Sequence, residues 1–264
     1  MEKTKEIKKN KAIRGGEFLV KETDFNDVFI PEEWNEEQKM IAQMCEDFMS
    51  SELFPILDKI DSMKHPELMP KLMEKAGELG LLGLSVPEAY GGMGVDFKSS
   101  MLATEVLGGG YSFSVAYGAH TGIGTLPLLY YGNEEQKKRF IPKLATGEWK
   151  AAYCLTEPSS GSDANSGKSK AKLTDDGKHY IINGQKMWIT NGGFANLFTV
   201  FAKIGDDKNL TAFLVEADRD GITLNAEEKK MGIKGSSTRQ VFFNDVKIPV
   251  ENLLYEREKG FKIA

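Results

Sequence analysis

Residues 168–190 read KSKAKLTDDGKHYIINGQKMWIT, and this stretch decides the fold. Lys168 to Leu173 alternates strictly, the period of a half-buried strand. Asp176-Gly177 supplies a turn, after which His179 to Ile182 resumes an extended pattern. Asn183-Gly184 is the strongest short hairpin signal, because both central positions of that turn take positive φ. We therefore expect a return strand from Gln185 to Thr190. Working outward, Phe198–Ala202, Leu210–Val215 and Val241–Val246 are further strand candidates.

Upstream of Lys150 the period is helical. Trp34, Met40, Ile41, Met44 and Phe48 keep mostly three- and four-residue steps, and Pro55 ends or kinks that helix. A second helix is expected over Glu67–Leu82, followed by a loop at Val86–Gly94. Ser99 or Ser100 is the expected cap of the next helix. Gly108–Gly110 is a helix break, and Gly118, Gly122 and Gly124 interrupt an apolar stretch from Tyr111 to Tyr131. Asn133 caps a last helix, Glu134–Leu144. The expected class is α+β: an all-α orthogonal bundle, then an antiparallel β-barrel or sandwich. The expected layout is a basic flexible tail at 1–29, a helical domain at 30–149 and a β domain at 150–250. Residues 251–264 look like the start of a further helical domain, cut after its first turn.

Composition excludes several classes. Net charge is −5, from 34 Lys and Arg against 39 Asp and Glu, and lacks the basic excess of a nucleic-acid binder. Cys45, Cys154, His65, His120 and His179 show no metal-ligand spacing. No apolar run reaches the roughly 20 residues of a membrane span. The segment MEKTKEIKKNKAIRGG is basic but lacks the apolar core of a secretory signal, and Glu2 and Glu6 argue against a transit peptide. The expectation is a soluble cytoplasmic protein, or a mitochondrial-matrix one if eukaryotic.

Two segments carry chemistry. Ala152–Asp163, AYCLTEPSSGSD, runs from a strand into a loop dense in Ser and Gly. Its N–H groups and hydroxyls suit an anionic phosphate, although an ordinary surface turn has the same composition. Gly184–Gly193, GQKMWITNGG, places Trp188 two residues before Thr190, on the same face of a regular strand. Such a pair suits a flat heteroaromatic ring, and a core tryptophan is the plainer alternative. His120 reads as a packed helical residue and Cys154 as a buried, inert thiol.

Taken together, these segments resemble the flavin-binding region of the acyl-CoA dehydrogenase family. The run Cys154-Leu155-Thr156-Glu157-x-x-Ser160-Gly161-Ser162-Asp163-x-x-Ser166 is similar to its signature, and Trp188-Ile189-Thr190-Asn191 to its second flavin segment. Pro87-Glu88-x-Tyr90-Gly91-Gly92-x-Gly94, Gly132–Lys137, Met231–Thr238 and Pro249-x-x-Asn252-Leu253-Leu254 extend the likeness over residues 30–264. The long-chain and very-long-chain branch is the most similar.

The resemblance implies FAD, with backbone groups of Tyr153 and Leu155 and the Thr156 hydroxyl on the isoalloxazine edge. It implies Gly161 and Ser162 at the pyrophosphate, Ser162 also at the CoA moiety, and Trp188, Ile189 and Thr190 at the ring system. The implied reaction is α,β-dehydrogenation of an acyl-CoA, with an electron-transfer flavoprotein as oxidant and a homo-oligomer as the full-length form. The family's C-terminal four-helix bundle, which carries the catalytic glutamate, is absent, so the base is expected beyond residue 264 and no residue here is assigned that role. Glu157 is read as structural. Small residues at Val115, Gly118 and Ala119 point to long acyl chains. An acyl-CoA oxidase, or a non-catalytic flavin- or CoA-binding or assembly module, are the alternatives.

Overall fold

The computed structural model describes Ile13 and residues 15–264. Its helices are α1 (Glu36–Phe48), α2 (Leu57–Asp61), α3 (Leu68–Glu78), α4 (Phe97–Leu107), α5 (Ser112–Ala119), α6 (Leu126–Tyr131) and α7 (Glu134–Ala145). The strands follow: β1 (Ala151–Cys154), β2 (Lys170–Leu173), β3 (His179–Thr190), β4 (Leu197–Ile204), β5 (Thr211–Glu216), β6 (Ile222–Leu224), β7 (Thr238–Pro249) and β8 (Leu253–Leu254). A short α8 (Gly260–Ile263) comes last. A helical domain followed by a β domain is the expected class. Of the tail expected at 1–29, residues 1–12 and 14 lie outside the described residues. From Gly15 the chain forms 3-10 turns at Gly15–Leu19 and Phe25–Asp27, and Phe29 meets Trp34 edge-on.

The helices begin where polar side chains can take up their free N–H groups. Asn35 and Gln38 form a capping box on α1, and Asn133 and Gln136 form another on α7. The cap of α4 is Asp96 rather than Ser99 or Ser100: its Oδ1 accepts from Ser99 N at 2.8 Å, and the Ser99 hydroxyl donates to the same atom. The helix starts at Phe97, so Ser99 and Ser100 fall inside its first turn, where Ser99 donates to the cap instead of acting as one. Phe48, Leu53, Met73, Leu81 and Phe113 fill the helical core. Gly77 of α3 lies so close to the Thr146 carbonyl that a Cβ there would collide with it.

The sheet has the order β6-β7-β3-β2-β4-β5-β8, with β1 also on β4. It is mostly antiparallel, but β1 and β2 both run parallel to β4. They lie one after the other along that strand: β1 pairs with residues 197–200, and β2 with 203 and 204. Every residue of β5 is buried. Its Phe213 and Val215 pack inside the β domain, while Ala212 and Leu214 meet Phe140, Ile141 and Leu144 of α7. Burial on both faces explains its nearly continuous apolar run.

No hairpin turn forms at Asn183-Gly184, because β3 runs straight through it. The Asn183 amide donates to Asp245 Oδ1 and its carbonyl accepts from Asp245 N, both at 2.9 Å, beside a bulge in β7. Gly184 is there for clearance: a Cβ would run into the Ser169 side chain. The turn at Asp176-Gly177 does form, with Gly177 at φ 69°.

Two buried side chains join the domains. His120 stands in a π-turn, His120–Gly124, that breaks the helix between α5 and α6. Its Nδ1 accepts from Ala151 N, and its Nε2–H donates to Leu144 O, each at 3.0 Å. Asn191 donates from Nδ2 to Ala116 O at 2.9 Å and to Ala151 O at 3.4 Å. Thus α5, the end of α7 and the first residue of β1 share one hydrogen-bond cluster. Among the described residues no helix is long and apolar enough to cross a membrane, and no His/Cys/Asp/Glu cluster can hold a metal.

Burial and the nearby Lys150 push the His120 imidazole down to about 4, against the opposing effect of its bond to Leu144 O. Protonation would also set a new N–H against the Ala151 N–H. The unfolded chain therefore takes up the proton first, near 6.5, and stability falls as pH drops from there toward 4. We expect a loss of up to about 3 kcal/mol over that window from this group. Urea unfolding between pH 7 and 4.5 should show a shallower decline for His120→Gln than for the wild type. An identical slope would refute this.

Candidate functional site

The site grows from the interruption between β1 and β2. The chain leaves the edge of β4 after Cys154 and returns at Lys170. Between them lies the Ser- and Gly-rich loop. Facing this interruption, the carbonyl of Phe201 has no strand residue to pair with. A lysine fills the place: Lys186 Nζ donates to Phe201 O at 2.6 Å, Leu155 O at 3.1 Å and Glu157 Oε1 at 2.8 Å. Lys186 has no solvent-exposed surface. Three acceptors require three N–H donors, so the group is the ammonium.

Glu157 organises the rest of the loop. Its Oε2 accepts from Lys168 N at 2.6 Å, and Oε1 from Ser169 N at 3.1 Å as well as from Lys186. Burial works to raise its carboxyl, but Lys186 and the N–H donors outweigh it and hold the group below the usual glutamate range. For Lys186, burial lowers the ammonium against the pull of Glu157. Glu157 is thus a structural anchor, as its motif reading anticipated. Cys154 beside it is fully buried, and desolvation pushes its thiol up to about 12.

The opposite edge of β1 is open. Lys150 O accepts from Leu197 N, so within β1 the even-numbered residues turn toward β4 and Ala151 and Tyr153 away from it, while Leu155 and Thr156 lie past the strand and outside that alternation. Ala151 is satisfied by His120 and Asn191, and Leu155 O by Lys186. That leaves the N–H and C=O of Tyr153 and the N–H groups of Leu155 and Thr156 without a partner among the described residues. Thr156 O is taken by Met187 N at 2.9 Å, so the end of β1 is stitched to β3.

Beside that edge β3 carries a bulge. Lys186 pairs with Val241 and Ile189 with Arg239, so Met187 and Trp188 stand opposite Gln240 alone. Trp188 adopts φ 62° and is 56% exposed, which is unusual for so large an apolar side chain. The bulge breaks the simple alternation, so sequence spacing does not set the face of Trp188 relative to Thr190. Ile189 is buried in the β core, and its carbonyl accepts from Gly192 N at 3.1 Å. Gly161 and Ser162 lie on the exposed rim, and a Cβ at Gly161 would meet only open space. Ser160 and Ser166 spend their hydroxyls on Asp163 O, whereas that of Ser162 has no partner among the described residues.

The helical domain holds a cavity of about 430 Å³, walled by Leu82, Leu84, Leu107, Tyr117, Gly118 and Gly122 among others. Gly118 lines it, but Val115 and Ala119, expected to do so, do not. Gly118 is exposed and lies with Ser114, Tyr117, Thr121 and Gly122 on the helix face that borders the cavity, and Val115 and Ala119 fall to the side of that face. Sequence reading missed Lys186 and Asn191. Lys186 shares strand parity with the buried Ile182, a signal that marks an inward-facing charge in need of partners.

The β domain thus presents an open strand edge with unpartnered donors and an exposed aromatic beside it, and the helical domain presents a mostly apolar cavity. Residues 35–148 match the acyl-CoA dehydrogenase N-terminal domain, and residues 152–246 the acyl-CoA dehydrogenase middle domain. The chain belongs to the acyl-CoA dehydrogenase family and carries these two domains. It is 49% identical over 251 residues to a probable acyl-CoA dehydrogenase of Bacillus subtilis, across 95% of this chain and 42% of that protein. It is 46% identical over 196 residues to the human mitochondrial very long-chain specific acyl-CoA dehydrogenase, across 71% of this chain and 30% of that one. The structure of an acyl-CoA dehydrogenase complexed with FAD from Bacillus anthracis superposes with a TM-score of 0.91 at 50% identity. That match covers 96% of this chain and 43% of the other, so the chain spans less than half the length of these relatives.

Trp188 carries backbone strain of roughly 1–2 kcal/mol and little burial. Glycine relieves the strain at a comparable cost in unfolded-state entropy. Trp188→Gly should therefore unfold within about 1 kcal/mol of the wild type in urea. A loss of 3 kcal/mol or more would show that the indole is a core residue after all.

Proposed function

We propose that this chain binds FAD along the open edge of β1 and an acyl-CoA with its tail in the cavity walled by Gly118. It does so as part of an enzyme that converts long-chain acyl-CoA to trans-2-enoyl-CoA and passes electrons to an electron-transfer flavoprotein. The observation that carries this reading is the set left without a partner among the described residues at the end of β1 and just past it: the N–H and C=O of Tyr153 and the N–H groups of Leu155 and Thr156. An isoalloxazine presents an edge of alternating acceptors and a donor, which such a set complements. FAD, when bound, supplies the hydride acceptor.

The chain's own residues orient and enclose. Trp188 covers the ring, the Thr156 and Thr190 hydroxyls meet its edge, and the backbone of Ile189 continues the contact. Gly161 admits the pyrophosphate without steric cost, and Ser162 offers a free hydroxyl to it and to the CoA moiety. The cavity draws the acyl chain out of water at about 0.8 kcal/mol per methylene, which favours long chains. We assign the α-proton base to no residue of this chain. We take 30–149 as the helical and 150–250 as the flavin-binding domain, with the join falling between the end of α7 and the start of β1. The two buried, unbridged cysteines agree with a reducing compartment.

Purified chain incubated with excess FAD and desalted should keep visible flavin absorbance, and Trp188→Gly should weaken FAD binding at least tenfold. A wild-type chain that retains none would overturn the reading. For the substrate, a side chain at Gly118 enters open space, since nothing lies within 4 Å of its would-be Cβ. Gly118→Leu should therefore weaken palmitoyl-CoA binding by roughly 30-fold, the loss of two or three buried methylenes, and leave butyryl-CoA unchanged. Equal weakening of both ligands would remove the cavity as the acyl site.

A further inference from the structure

Lys186 does more than fill an interruption in the sheet. Its ammonium bonds the carbonyl of Leu155 at 3.1 Å, and that carbonyl belongs to the same planar peptide as the N–H of Thr156. In a trans peptide the two groups point in opposite directions. The carbonyl faces the interior charge, so the Thr156 N–H faces away from it, and it has no partner among the described residues. The next carbonyl, Thr156 O, is held by Met187 N at 2.9 Å. Two successive residues of β3 therefore clamp two successive carbonyls of the loop, and the peptide between them cannot rotate. A cation on one end of a peptide strengthens the donor at the other, because hydrogen-bonded groups in a low-dielectric interior polarise one another.

The ammonium is itself locked. Glu157 anchors it from behind at 2.8 Å, Phe201 O holds it at 2.6 Å, and the carboxylate is fixed by Lys168 N and Ser169 N. A charge this dry is costly, and a methionine would fill the same space without it. Packing alone does not call for a lysine.

We propose that Lys186 is a positioning residue for the flavin, acting through the Leu155–Thr156 peptide to hold and strengthen the Thr156 N–H and so favour the reduced cofactor. The proposal rests on the reading that FAD lies along the β1 edge. Reduction adds two electrons and, at neutral pH, one proton, leaving negative charge on the ring system. A strengthened donor therefore gains more from the reduced form than from the oxidised one.

The test is the midpoint potential of the 264-residue chain reconstituted with FAD, measured with dithionite as the two-electron donor and a reference dye. Lys186→Met should bind reduced FAD about tenfold less well relative to oxidised FAD, a downward shift of about 30 mV for a two-electron couple. A lysine that only held the loop would weaken both forms alike and leave the potential unmoved. The double variant Lys186→Met with Glu157→Gln leaves no lone charge buried, and it should shift the potential in the same direction if the single variant does not fold. An unchanged or raised potential in the variant that folds overturns the proposal while leaving FAD binding intact. A wild-type chain that takes up no FAD overturns it together with the functional reading.

Discussion

The β domain turns on a broken edge. β4 carries β1 on its first half and β2 on its end, both parallel to it, and the chain between them must leave and return. A sheet interrupted in this way strands a buried carbonyl, and a stranded carbonyl in an apolar core costs a large part of a hydrogen bond. Lys186 resolves that cost by sending an ammonium into the interruption, and Glu157 neutralises the charge this introduces. The loop from Leu155 to Ser169 is shaped by these two side chains rather than by its glycines. A segment whose composition matches an ordinary surface turn is held from inside by a buried ion pair.

The same economy governs the join between domains. His120 and Asn191 are polar groups at a buried junction; His120 places both ring nitrogens, and Asn191 its amide donors, on backbone that helices and strands do not satisfy themselves. The N–H and C=O of Ala151 are both consumed there. Two residues on, the corresponding groups of Tyr153 have no partner among the described residues. The contrast along a single strand separates the part of β1 that holds the fold from the part left open to a ligand.

Backbone strain and exposure coincide at Trp188. A bulge one residue long turns the chain into the left-handed region and sets a large apolar ring at the surface. Neither feature stabilises this chain by itself. Strain of this kind persists where surrounding structure over-determines it, and here the Met187–Thr156 bond and the Lys186 cluster on one side do so, with the buried Ile189 on the other.

Apart from the short α2, β6 and β8, which it did not mark, the sequence by itself determined a helical half followed by a strand-rich half, the end of α1 at Phe48, the start of α7 after Asn133, and the two segments that meet at the site. These follow from period and from caps, which depend on residues near one another in the chain. Local signals misled where a distant residue competed: Asn183-Gly184 has the chemistry of a hairpin turn, yet Asp245 across the sheet takes its amide and β3 runs on. Spacing likewise placed Trp188 and Thr190 on one face, and a bulge set by pairing with β7 removed that simple relation. Only the tertiary structure decided which carbonyls lacked a strand partner, which lysine would answer them, and which edge remained open. Alternation tells which way a side chain points, whereas register, interruption and partner are properties of strands far apart in sequence that come together only when the sheet closes.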